Sequence, residues 1–117
     1  MEHIEPEKTL KSEKIYQGKI LSLRVDTIEM PNKKYSKREI IEHKAAVVII
    51  AIKGTKLLMV RQYRKAVDKT LLEVPAGLVE VQETPIQAAI RELEEETGYL
   101  CKNPKYIMEF YTSPGYC

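Results

Sequence analysis

The chain has 117 residues, 44% of them hydrophobic and 31% charged, with a formal net charge of +2. That length suits one domain with a single core, and no apolar run approaches the roughly 20 residues that span a bilayer. The near-neutral balance, with no basic run interleaved with aromatics, gives no sign of a nucleic-acid surface.

The first residues, MEHIEPEKTLKSEK, are charged and lack an apolar h-region, so residues 1–13 are expected to be loosely ordered and no secretory signal is visible. From Ile15 the pattern becomes strand-like, with Leu21, Leu23 and Val25 alternating with Ser22, Arg24 and Asp26 up to Met30. Pro31-Asn32-Lys33-Lys34 predicts a turn. Tyr35 to His43 predicts a second strand, with Arg38 and Glu39 near its middle. Such an antiparallel hairpin has too little apolar surface to stand alone, so residues 1–43 are expected to pack on something, with a second subunit as one candidate.

Residues 44–117 should form the core. Ala45 to Ile52 is a continuous apolar, β-branched run that predicts a buried central strand. Lys53-Gly54-Thr55 turns it into a strand over Lys56–Val60. Thr70–Val74 predicts another strand, broken by Pro75-Ala76-Gly77 into a loop. Thr84, Pro85 and Gln87 form an N-terminal helix signature, a Thr-x-x-Gln capping box with proline at the first helical position. Gly98 is a natural stop. Within that helix Ile86, Ala89, Ile90, Leu93 and Thr97 follow helical spacing and are expected to face inward, away from Glu92, Glu95 and Glu96. Tyr106–Tyr111 predicts a last strand. Strands on both sides of one amphipathic helix imply an α/β (α+β) fold.

Charge is unevenly spread. Residues 1–72 carry +7, residues 73–99 carry −6, and residues 100–117 carry +1. Glu92, Glu95 and Glu96 lie three and four residues apart, on one helix face, in the turns before Gly98. The macrodipole disfavours anions there. A solvated acidic face is the ordinary explanation of a charge run, but carboxylates gathered against the dipole and their own like-charge repulsion suit a divalent cation. A basic body around such a strip suits a phosphorylated small molecule. Cys101 and Cys117 are the only cysteines, so a structural disulfide is not expected and a reducing cytoplasm is. His3 and His43 have no metal-ligand spacing.

The segment from Gly77 to Tyr99, GLVEVQETPIQAAIRELEEETGY, resembles the Nudix box. Gly77, Glu83, Arg91, Glu92, Leu93, Glu95, Glu96 and Gly98 match its fixed positions, and only Tyr99 departs, where an aliphatic residue is usual. The resemblance implies a Nudix-type mixed sheet sandwiched by helices, in an enzyme that cleaves a diphosphate linked to another group. It also implies Glu92, Glu95, Glu96 and the Ala76 carbonyl as ligands for Mg²⁺ or Mn²⁺. Glu83 would pair with Arg91, either to fix those carboxylates or as a purely structural pair. Members of this family run further, so the C-terminal part of the fold is expected to be missing. In several relatives a glutamate beyond the box assists the attacking water, which leaves Glu95 as the nearby substitute.

Leu72-Glu73-Val74-Pro75-Ala76-Gly77, Arg61-Gln62-Tyr63-Arg64, Arg38-Glu39 and Pro114 further resemble the ADP-ribose pyrophosphatase branch. By that similarity Arg64 contacts the diphosphate, while Arg38 and Glu39 reach the adenine from a partner subunit of a homodimer. Leu78 and Ser113 line the same pocket. A solvated strand pair is the plain alternative for Arg38 and Glu39. Another nucleotide sugar, a nucleoside triphosphate, or a ligand-sensing domain without catalysis are the competing functions.

Overall fold

The structure, a computed structural model, describes residues 4–117, so His3 lies outside the described residues. They divide into two units, residues 4–44 with 109–117 and residues 45–108. The α+β class expected from the sequence is the one found, with antiparallel ladders and one helix among the described residues. Among the described residues no helix is long and apolar enough to cross a membrane.

The first unit is a three-stranded antiparallel sheet, β1 (Lys8–Gln17), β2 (Leu21–Glu29) and β3 (Tyr35–His43), in that order. The expected hairpin is therefore β2–β3, paired without a break from Leu21 opposite His43 to Glu29 opposite Tyr35. Its turn is the predicted one: Lys33 N–H reaches the Met30 carbonyl, and Lys33 takes a positive φ of 65°. β1 corrects the expectation of a loose N-terminus. Its residues are exposed along their whole length, so no apolar period marks it, and backbone pairing to β2 is what orders it. The register slips at Leu10 and Ile15, each leaving one extra residue on β1. Ile28 and Asp26 are the buried residues of this sheet. Asp26 is held by Ser12 Oγ at 2.6 Å and by Arg24, which keep its carboxyl below the usual range.

In the second unit the strands are short. β4 (Ala46–Val48) pairs with β9 (Ala76–Leu78), β5 (Ile52–Lys53) with β6 (Lys56–Leu57), and β7 (Val60–Arg64) with β8 (Lys69–Glu73). The Gly54 turn takes a positive φ of 63°. Three expectations are corrected. The Ala45–Ile52 run is not one buried strand: it is interrupted after Val48, and Val48, Ile50 and Ile52 are exposed. Pro75-Ala76-Gly77 is not only a loop, because Ala76 and Gly77 pair with Val48 and Val47. Tyr106–Tyr111 forms no strand; it has strand-like composition, but composition cannot supply a ladder partner.

The helix, α1 (Pro85–Thr97), packs on β4 and β9. Both ends are closed as the sequence predicts. Thr84 Oγ1 accepts the Gln87 N–H and Gln87 Oε1 accepts the Thr84 N–H. Gly98, at φ 77°, gives its N–H to the Glu94 carbonyl. Its buried residues are Ala88 and Leu93, while Ile86, Ala89, Ile90 and Thr97 are only half-buried. The buried face is thus rotated toward Ala88, which brings Glu92, one turn on, into the seam.

Candidate active site

Helix α1 meets β9 through its carboxylates, while Leu93 is buried. The Glu92 side chain is 14% exposed, and a Cβ on Gly77 would stand 2.0 Å from Glu92 Cδ. Only glycine leaves room for that carboxylate against β9. Glu96 reaches the same strand, its Oε2 lying 3.4 Å from the Ala76 N–H.

Arg91 organises this end of the site. Its Nε and Nη2 donate to Glu83 at 2.7 and 2.8 Å, and Nη2 also donates to the Leu78 carbonyl at 3.0 Å. Its Nη1 donates to Glu92 at 2.7 Å and Glu95 at 3.2 Å. All five guanidinium donors are used. The first two bonds form a fork on one carboxylate, a strong and directional arrangement. Arg91, with the Glu80 N–H, lowers the Glu83 pKa to about 2, and Glu83 raises that of Arg91 in turn.

Because the Glu83 pKa is depressed from 4.5, the pair contributes stability that is complete above about pH 4.5 and lost as pH falls toward 2. Thermal unfolding of the chain should therefore fall off through that acid window. Glu83→Gln should flatten the slope there, and an unchanged slope would show that the pair does not hold in solution.

The donors Glu92, Glu95, Glu96 and the Ala76 carbonyl are hard oxygens, the chemistry that suits Mg²⁺ or Mn²⁺. The place that Gly77 leaves for Glu92 fits such an ion's ligand. As they stand, Glu92 and Glu95 are turned to Arg91 and Glu96 to Ala76. Among the described residues no three His, Cys, Asp or Glu side chains converge on one metal position.

Arg64, at the end of β7, makes a second fork, to Glu73 Oε2 and Oε1 at 2.8 and 2.7 Å. The Leu78 side chain is exposed, and its carbonyl holds Arg91. In the first unit Arg38 is engaged by Glu7, through Nε at 3.1 Å and Nη2 at 2.5 Å, which raises its pKa. Glu39 stands exposed on β3 opposite Val25. Ser113 is half-buried and its carbonyl caps a turn through Tyr116 and Cys117.

Sequence reasoning did not assign Glu73 or Glu7 a role. Both are partners across strands or distant in sequence, and neither follows a helical spacing that would have announced it.

Comparison with known proteins follows the same division. Residues 42–116 match the NUDIX domain and residues 7–41 the nucleoside diphosphate sugar hydrolase N-terminal domain. A methanol dehydrogenase activator of Bacillus methanolicus is 50% identical over 94% of this chain and 60% of its own length. An ADP-ribose pyrophosphatase of Bacillus subtilis is 49% identical over the same shares, 94% and 60%. Another, of Mycobacterium tuberculosis, is 38% identical over 92% of this chain and 53% of its own length. The chain thus spans 60% or less of these three relatives. In structure it resembles a chain described as an ADP compounds hydrolase, with a TM-score of 0.88 over 99% of this chain and 64% of that one, at 22% identity. Nudix hydrolases generally need a divalent metal ion. The match from residue 42 to residue 116 takes in the whole signature from Gly77 to Gly98 and more than half of the sequence, and on that ground the chain belongs to the Nudix family.

Proposed function

We propose that this chain belongs to a Mg²⁺- or Mn²⁺-dependent pyrophosphatase that hydrolyses ADP-ribose to AMP and ribose 5-phosphate. The observation that carries the proposal is the Glu92 carboxylate seated against Gly77 in the α1–β9 seam. Two relatives named ADP-ribose pyrophosphatase support the substrate, together with Arg64, the Leu72–Gly77 segment and Pro114.

Glu92, Glu95, Glu96 and the Ala76 carbonyl would hold the metal, which when bound neutralises phosphate oxygens and activates water. Arg91 and Glu83 keep the helix carboxylates in place. Arg64 offers N–H donors to the diphosphate. Glu95, whose side chain is 58% exposed, takes the proton of the attacking water. The water oxygen bonds to phosphorus and the bridging P–O bond breaks, so the two phosphates leave on separate products. Leu78 is proposed as a further substrate contact, and so, separately, is Ser113.

Residues 1–43 are proposed to serve dimerisation and substrate contact, and residues 44–117 to form the catalytic core. In that arrangement Arg38 and Glu39 contact the adenine bound by a partner subunit, in a cytoplasmic homodimer. Light scattering across a concentration series checks the dimer, and a strictly monomeric mass at tens of micromolar removes it.

The relative named for activating another enzyme favours a second reading, a Nudix domain that acts on a dehydrogenase. A Mg²⁺ assay of ADP-ribose against dATP and dGTP separates the possibilities. It should be run on this chain and on one extended to the length of the relatives. AMP release from ADP-ribose, faster than triphosphate turnover, is the expected result. Faster triphosphate turnover overturns the substrate assignment.

A further inference from the structure

Two arginine forks hold this unit, and only the one on α1 belongs to the Nudix signature. The other joins Arg64 to Glu73 through two near-parallel bonds of 2.8 and 2.7 Å. The β7–β8 register places Arg64 opposite Lys69 and Glu73 opposite Val60. The fork therefore runs diagonally along the hairpin and not between facing residues. A cation facing a lysine would ordinarily turn to solvent. Here Glu73 draws the guanidinium back toward the far end of the hairpin. That end meets an open depression lined by Val60, Arg61, Gln62 and Glu96. Glu96 is close enough for its charge to add to the larger effect of Glu73 in raising the Arg64 pKa. The same Glu96 approaches the Ala76 N–H, so the fork is aimed at the acidic seam.

We propose that Glu73 is a positioning residue that orients Arg64 toward the diphosphate of a nucleotide-sugar substrate. This rests on the pyrophosphatase function proposed above. Glu73 takes one N–H from Nε and one from Nη2, leaving one on Nη2 and two on Nη1 for phosphate oxygens. Two opposed effects decide its value. An arginine already ordered spares the ligand the cost of immobilising a long side chain, a gain of roughly three- to tenfold in affinity. The Glu73 charge also repels the phosphate across the width of a guanidinium, which in watery surroundings costs about twofold. Ordering wins, so removing the carboxylate weakens binding.

The test is calorimetric titration with an ADP-ribose analogue whose bridging oxygen is replaced by methylene, which binds but is not hydrolysed. Arg64→Gln should weaken binding about tenfold or more, and Glu73→Gln roughly three- to tenfold. The double variant should bind no more weakly than Arg64→Gln alone, and Glu73→Asp should recover part of the loss. Tyr63→Phe removes the 2.6 Å bond to Asp68 in the same hairpin and should leave affinity unchanged. Binding by Glu73→Gln equal to or tighter than that of the unaltered chain overturns the proposal, as do additive losses or an equal loss in Tyr63→Phe. Unchanged binding in Arg64→Gln removes Arg64 from the diphosphate and overturns the proposal too, whereas no binding by the unaltered sequence, at this length or extended to that of the relatives, overturns instead the function on which it rests.

Discussion

Glu92→Gln should reduce ADP-ribose turnover by roughly 10²- to 10³-fold, because a metal ion supplies several kcal/mol of transition-state stabilisation and loses one of its charged ligands. Mg²⁺ or Mn²⁺ binding, followed by calorimetry, should weaken strongly in the same variant. Stability should change little. Glutamine has the shape of glutamate, and its carbonyl oxygen still accepts the Arg91 Nη1 bond of 2.7 Å. Unchanged metal affinity would remove Glu92 from the ligand set.

Gly77→Ala should be nearly as damaging by a different route. The added methyl would lie 2.0 Å from Glu92 Cδ and 2.3 and 2.4 Å from its two oxygens. These atoms end a flexible side chain, so the fold can escape the clash by turning the carboxylate out of the seam. Overpacking of this kind costs about 1–3 kcal/mol where the neighbour cannot move and less where it can. The expected result is a chain that unfolds at nearly its original temperature and binds metal at least tenfold more weakly. Metal affinity equal to that of the unaltered chain would show that the Glu92 position against β9 is not the one that matters.

The residues that the sequence makes legible are those whose partners lie close along the chain. The Thr84–Gln87 box, Pro85 and Gly98 each act within a few residues, and the structure places all of them as expected. Glu83 and Arg91 meet because their spacing leads from the loop onto the helix. What is hidden depends on tertiary placement. Helical periodicity puts Glu92 on a face apart from the apolar stripe, yet Ala88 is fully buried, and Glu92, one turn on, is turned inward with it. Periodicity orders side chains around the axis but does not say which small residue lets the helix approach. Strand β1 is invisible for the opposite reason: it is ordered by backbone hydrogen bonds that carry no side-chain signature. The Arg64–Glu73 fork escapes notice because it crosses the hairpin diagonally, away from its register partners.

The saturated guanidinium of Arg91 has a consequence for how this chain matures. Glu83, Glu92 and Glu95 already share an internal positive charge, supplied by the same helix. Their mutual repulsion is relieved during folding itself, before any ion arrives from solution. In small zinc domains the ion is the keystone, and the apo-polypeptide is unfolded. Here the polypeptide brings its own counter-ion, and the carboxylates are gathered without a metal. An ion held by the proposed carboxylates would exchange with the two Nη1 bonds to Glu92 and Glu95 and with the Ala76 contact of Glu96, while the grip on Glu83 and Leu78 stays closed.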